Sequence, residues 1–233
     1  MRVFIIAVLS LVFFAGQAVA EDKKEMSEKE KLGYSIGYLQ GSSMADFFKA
    51  QAVDVDTTTI NEAFKSGLTG TKPALTEQEM REIMAGFQKS LTAKQETRMK
   101  ELSDKNQKEG EAFLAENKKK EGVVARPSGL QYKILKEGTG NTPKATDKVK
   151  VNYKGTLIDG REFDSSYKQQ KPVVFQVNKV ISGWTEALQM MKVGSQWEVF
   201  IPANLAYGNR GAGQMIGPNS TLIFEVELIS IEK

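Results

Sequence analysis

Val151 to Ser166 reads V-N-Y-K-G-T-L-I-D-G-R-E-F-D-S-S, and its alternation sets the fold class of the C-terminal half. From Val149 to Leu157 the odd positions are Val149, Val151, Tyr153, Gly155 and Leu157, while the even ones are Lys150, Asn152, Lys154 and Thr156. A period of two with one apolar face predicts a half-buried strand. Asp159-Gly160 tolerates positive φ in a tight hairpin turn, and the chain returns through Phe163. Asp164 then places a carboxylate beside an aromatic side chain. Taken alone, the stretch is an ordinary antiparallel hairpin with core aromatics.

Working outward, Leu130, Tyr132 and Ile134 alternate before the turn residues Gly138, Gly140, Asn141 and Pro143. Downstream, the pattern predicts a strand at Val173–Val177, a short helix from Gly183 to Lys192 stopped by Gly194, and strands over Trp197–Ile201 and Thr221–Ile231. Gly122 to Lys233 is therefore expected to form an α+β domain. Upstream the period changes. Ser27 with Glu30 fits a capping box ahead of Leu32, Ile36, Leu39, Met44, Phe47 and Phe48, and a second helix is predicted from Asp56, burying Ile60, Ala63, Phe64 and Leu68 and stopping at Gly70.

Thr76 with Glu79 opens a third helix, whose stripe Met80, Ile83, Met84, Phe87 and Leu91 gives way to mixed charges after Lys94, as in a solvated helix bridging two domains. Unbroken to Lys119 it would span about 66 Å at 1.5 Å per residue, with Gly86 and above all Gly110 as places for a kink. The organisation expected is thus residues 1–20, a helical region 21–75, a connecting helix 76–121 and a domain 122–233.

Residues 1–20 begin with Arg2, run apolar from Val3 to Ala15 and end Ala18-Val19-Ala20 before a charged segment, which reads as a signal peptide cut after Ala20. An uncleaved anchor is the alternative, although the apolar core is short for a span. Gly33, Gly37 and Gly41 recur every four residues on the first helix. Each costs about 1 kcal/mol relative to alanine, so a close backbone approach should compensate, either within the same domain or at a subunit interface. Two short helices make a thin core, and pairing with a second copy would thicken it.

At 233 residues and a net charge of +3 the chain suits two units, and no basic stripe with interleaved aromatics points to nucleic acid. It contains no cysteine and no histidine. These absences remove disulfides, Cys-His and Ser-His nucleophiles and the usual zinc ligand sets, so whatever chemistry occurs needs none of them. No metal and no cofactor is expected.

Val151–Ser166 is followed in order by V-I-S-G-W-T-E-A-L-Q-M-M-K-V-G (Val180–Gly194), I-P-A-N-L-A-Y-G (Ile201–Gly208) and I-G-P-N-S-T-L-I-F-E-V-E-L (Ile216–Leu228). Together these blocks closely resemble the FKBP family of peptidyl-prolyl cis-trans isomerases, and the upstream half is similar to its Mip-like branch. The resemblance implies a twisted antiparallel sheet curled around one short helix, preceded by an all-α dimerisation region and a long helix. It implies catalytic positions at Tyr153, Phe163, Asp164 and Tyr207, and substrate or macrolide contacts at Val173, Val180, Ile181, Trp184, Ala206, Ile216 and Phe224. In such a site the Ile181 N–H and the Tyr207 hydroxyl hold peptide carbonyls, Trp184 floors the proline ring, and Asp164 orients the twisting carbonyl.

Two departures from the family pattern stand out. Val173 occupies the position at which relatives often carry an aromatic, and Gln169 the one at which some carry an arginine to pair with the aspartate. A shallower wall is expected. Gly208–Pro218, with G-A-G-Q-M-I-G, superficially matches a dinucleotide fingerprint but has the wrong spacing and leads into a strand, so it reads as a mobile flap. The function implied is an exported, homodimeric isomerase acting on proline-containing polypeptides, with chaperone activity, inhibited by macrolides of the FK506/rapamycin class and located in the periplasm, outer membrane or cell surface. A non-catalytic peptide-binding module or holdase, or a surface interaction protein linked to virulence, is the alternative.

Overall fold

The computed structural model describes residues 25–232, and the expected signal segment lies outside them. The chain divides at Thr76/Glu77 into two compact units. Among the described residues no helix is long and apolar enough to cross a membrane.

The first unit holds α1 (Glu28–Gln51) and α2 (Thr57–Thr69). The capping box forms as predicted: Ser27 Oγ accepts from the Glu30 amide, and Glu30 Oε2 accepts from the Ser27 amide at 2.8 Å. Asp56 caps α2 by accepting the Thr59 amide at 2.6 Å, and Gly70, at φ 67°, ends it in the left-handed region open to glycine. Neither helix buries a single residue. Leu32, Leu39 and Leu68 are 63%, 68% and 75% exposed, so the apolar stripes that favour these helices have no core within the unit.

The second unit opens with α3 (Glu77–Asn117), 41 residues without a break. It is followed by β1 (Val123–Ala125), β2 (Gln131–Lys136), β3 (Lys148–Leu157), β4 (Glu162–Ser165), β5 (Val173–Gln176), α4 (Ser182–Leu188), β6 (Gln196–Ile201) and β7 (Leu222–Glu232). The strands form one antiparallel sheet in the order β1-β2-β6-β7-β3-β4, with β5 beside the first half of β3 and β4 beside its second half. The predicted alternation of β3 is met residue for residue, with all five odd positions from Val149 to Leu157 buried. Leu222, Phe224, Val226 and Leu228 of β7 and Trp197, Val199 and Ile201 of β6 join them, and α4 closes the core with Trp184, Ala187 and Leu188. Gly183 permits that closure, because a Cβ there would lie 2.5 Å from Ile201 Cγ2. The helix is shorter than expected, giving way after Leu188 to a turn ended by Gly194 at φ 91°.

Gly110 does not kink α3. It is buried, and a side chain there would collide with Thr221. The glycine is a point of close approach, and the last turns of α3 are docked rather than solvated. Phe113 packs on Phe200 with centroids 6.0 Å apart, Gln131 Nε2 donates to Leu114 O at 2.9 Å, and Asn117 Nδ2 donates to Gln131 Oε1 at 3.1 Å. Phe200 alternates with the core residues Val199 and Ile201, so α3 covers the face of the sheet opposite α4. The compact unit that holds the sheet begins at Glu77.

Candidate active site

The sheet and α4 enclose a cavity of about 440 Å³ lined by Tyr153, Phe163, Asp164, Phe175, Lys179, Val180, Ile181, Trp184, Tyr207 and Phe224. Trp184, from the first turn of α4, meets the rings of Tyr153, Phe175 and Phe224 at centroid distances of 5.3, 5.6 and 5.2 Å and interplanar angles of 87°, 84° and 80°. Edge-to-face packing on three sides leaves the indole no freedom to tilt. Its buried N–H has no oxygen or nitrogen partner, consistent with an edge surrounded by rings.

The β3–β4 hairpin delivers the polar groups. Gly155 pairs with Asp164 and Thr156 with Glu162, so Phe163 is the extra residue of a bulge. In a regular strand adjacent side chains point to opposite faces; the bulge turns both Phe163 and Asp164 into the cavity. Gly155 lies beneath, and a Cβ there would sit 2.7 Å from the Phe163 ring and 2.8 Å from Phe224, so only glycine lets the two rings meet across β3. Asp164 Oδ2 accepts the Tyr153 hydroxyl at 2.7 Å, and Oδ1 accepts the Ser165 amide at 2.8 Å. Ser166, fully buried, accepts the Tyr153 amide on Oγ at 2.9 Å, while its own amide donates to Tyr153 O at 3.0 Å. The F-D-S-S block thus supplies a wall, a carboxylate and two clamps that fix the carboxylate against the tyrosine.

The rim between β5 and α4 is extended, with Val180 at φ −113°, ψ 178° and Ile181 at φ −58°, ψ 149°. Thr185 Oγ1 ties α4 to this segment by donating to Val177 O at 2.7 Å. The Ile181 N–H finds no backbone acceptor among the described residues, which leaves a donor beside the cavity. Opposite, Tyr207 projects from the root of the 208–218 loop and is 41% exposed.

Eight of the eleven expected site residues come together in this way. Val173, Ala206 and Ile216 fall outside the lining, and Phe175 and Lys179 take part unannounced. The aromatic wall that seemed missing at Val173 is present two residues later. β5 pairs Val173 with Val151 and Phe175 with Val149, and Phe175, on the same strand face, packs its ring between Tyr153 and Trp184. The signal for Phe175 was the same period-two alternation, read one step further. Ala206 ends the turn that presents Tyr207, and buried Ile216 packs into the core beneath the loop.

Residues 139–229 match the family described as FKBP-type peptidyl-prolyl cis-trans isomerase, and residues 29–134 match the domain amino terminal to it. An outer membrane protein MIP of Legionella longbeachae is 45% identical over 233 residues, covering 100% of this chain and 98% of its own. The chain belongs to the FKBP-type peptidyl-prolyl cis-trans isomerases. The isomerase Mip of Coxiella burnetii is 40% identical, with both chains covered end to end. The crystal structure of FkpA from Escherichia coli matches this isomerase with a TM-score of 0.73 at 33% identity, over 88% of this chain and 97% of that one. The family resemblance and the α+β fold read from the sequence are both met.

The phenol of Tyr153 is pushed well above its ordinary value, first by burial and then by the hydrogen bond to Asp164 and its charge. A raised folded value means that the contribution of this hydrogen bond to stability is complete below about pH 10, the ordinary phenol pKa, and is lost only as pH rises beyond it. The chain also has no histidine. Peptide isomerisation rates from exchange spectroscopy should accordingly show no titration step between about pH 6 and 9, the window in which an imidazole would act. A step there would mean that the Tyr153–Asp164 pair loses its proton early.

Proposed function

We propose that this isomerase accelerates X-Pro rotation by desolvating the amide in the aromatic cavity and holding its flanks. The observation that carries the reading is the indole of Trp184, framed by three rings, with Asp164 as the only carboxylate on the wall. Amide rotation costs ~18–20 kcal/mol because planar resonance must be broken. The planar amide is more polar than the twisted one, so an apolar cavity disfavours the ground state more than the transition state. Desolvating an amide costs about 2–7 kcal/mol, whereas hundredfold acceleration needs only about 2.7 kcal/mol of differential effect. No nucleophile is required.

In this reading the proline ring rests on Trp184 among Tyr153, Phe163, Phe175 and Phe224. The Ile181 N–H and the Tyr207 hydroxyl bind flanking carbonyls, and Asp164, held by Tyr153 and Ser165, faces the twisting carbonyl. Macrolides of the FK506/rapamycin class would compete for the same wall. A protease-coupled assay on an X-Pro tetrapeptide, with and without the macrolide, tests this. Asp164→Ala should lower kcat/KM by roughly five- to thirtyfold, since one polar contact of about 1–2 kcal/mol is lost while the desolvating walls remain. Complete loss with the fold intact would make the carboxylate an obligate catalyst.

We further propose that the isomerase is a homodimer through residues 21–75, exported, and active as a chaperone. The unburied apolar stripes of α1 and α2 support a partner, as does the setting of Gly33, Gly37 and Gly41, where a Cβ would meet nothing within 4 Å. The glycine stripe packs on nothing among the described residues, which favours the subunit interface over the intradomain alternative. The signal-like residues 1–20 and the name of the Legionella relative support export.

A further inference from the structure

Tyr207 sits at one root of the 208–218 loop, and the other root is gripped by α3. The loop narrows to a small hairpin: Ala212 N donates to Ile216 O at 2.8 Å, and Ile216 N to Ala212 O at 3.1 Å. Its base is closed by Asn219 N donating to Gly208 O at 2.8 Å, one residue past Tyr207. Asn219 sits at φ 54°, a left-handed backbone more open to asparagine than to other non-glycine residues, and it is restrained there from outside the loop. The restraint comes from α3. The Asn219 side chain donates Nδ2 to Ser103 Oγ at 2.9 Å, and Asn106 Nδ2 donates to Pro218 O at 2.8 Å. Gly217 also runs so close to the helix that a Cβ would lie 3.2 Å from Leu102 Cδ2. Leu102, Ser103, Asn106 and Gly110 share one helical stripe, so a single face of α3 is fitted to this root.

None of these contacts belongs to the cavity wall, yet they form a short mechanical path, Ser103 to Asn219 to Gly208 to Tyr207. We propose that Ser103 and Asn106 of α3 are positioning residues for catalysis, setting through the loop base where the Tyr207 hydroxyl meets the peptide. The long helix is then part of the active-site scaffold, and forces on it reach the pocket through this clamp. The proposal rests on the assignment of Tyr207 to substrate binding, so its test separates the two.

In the full-length chain, Ser103→Ala with Asn106→Ala removes both clamps. Losing both should lower kcat/KM on a tetrapeptide about three- to tenfold, mainly through KM, with no change in thermal unfolding large enough to lower the folded fraction. Tyr207→Phe alone should lower kcat/KM; if it does not, the tyrosine assignment fails and the clamp proposal falls with it. The deciding measurement is the combination. On the Tyr207→Phe background the two clamp substitutions should have almost no further effect, because the group they position is gone. An equal fall on both backgrounds would show that α3 acts on the fold at large, and an unchanged kcat/KM for the double variant with tyrosine present would show that the clamp positions nothing; either result overturns the proposal. Should the double variant fold poorly, Ser103→Ala alone, which removes one part-buried hydrogen bond, repeats the comparison, and Ser103→Thr, which keeps the hydroxyl, should retain the rate.

Discussion

Gly155→Ala should lower kcat/KM on an X-Pro peptide by more than tenfold while leaving the sheet assembled. The added Cβ would lie 2.7 Å from the Phe163 ring and 2.8 Å from Phe224, whose centroids are 5.4 Å apart across the glycine. Both rings line the cavity, and Phe224 is also the neighbour of Trp184. Relieving the overlap means moving one ring inward over the substrate or outward away from it, and overpacking of this kind costs about 1–3 kcal/mol. β3 itself gains by the exchange, since alanine is less flexible than glycine in an extended backbone. Activity should thus fall further than stability. Circular dichroism and a thermal melt beside the kinetic assay check this, and a variant of native activity would mean that the Phe163–Phe224 contact is not part of the working wall.

Removing residues 1–76 should separate two activities. The fragment 77–233 keeps the cavity and the α3 contacts with Pro218, Thr221, Phe200 and Gln131, so its turnover of a tetrapeptide should match that of the full-length protein. It lacks α1 and α2, whose apolar residues have no cover of their own. Sedimentation should give a monomer for the fragment and twice the chain mass for the full-length protein, and Gly37→Leu in the latter should weaken the dimer. A disordered substrate long enough to touch more than one surface gains ~10²–10⁴ in avidity from a second, intramolecular contact, which a tetrapeptide cannot make. Catalysis of a proline-limited refolding reaction should therefore drop at least tenfold in the fragment. Equal refolding catalysis by fragment and full-length chain would assign the helical unit to some other purpose, such as placement at a surface.

Much of the hairpin at the heart of the site was legible before any coordinates. The alternation of Val149 to Leu157, the turn at Gly160 and the order of the four motif blocks are local properties of the chain, and local properties survive folding when packing agrees with them. The helix starts at Ser27 and Asp56 were equally plain, because a cap is made by residues three apart. Phe175 was not legible, for the opposite reason. Val173 and Phe175 lie on one face of β5, and only the placement of Tyr153 and Trp184 around that strand decides which side chain closes the wall.

By itself, the sequence determined that this protein has a half-buried hairpin, two capped N-terminal helices, a charged third helix and a site built without histidine or cysteine. The tertiary structure decided what the glycines are for. Gly110 looked like a break in α3 and is instead where the helix meets Thr221; Gly155, one more position in the alternation of β3, is where two aromatic walls touch. A missing side chain carries no pattern along the chain, since its value lies in what another segment puts into the space, and Thr221 and Phe224 reach these positions only after the sheet has closed. The same holds for the third helix. Its charges describe a solvated surface, whereas Ser103, Asn106, Gly110 and Phe113 form a docked one, because a few contacts on one stripe suffice to seat a helix whose other faces remain in water.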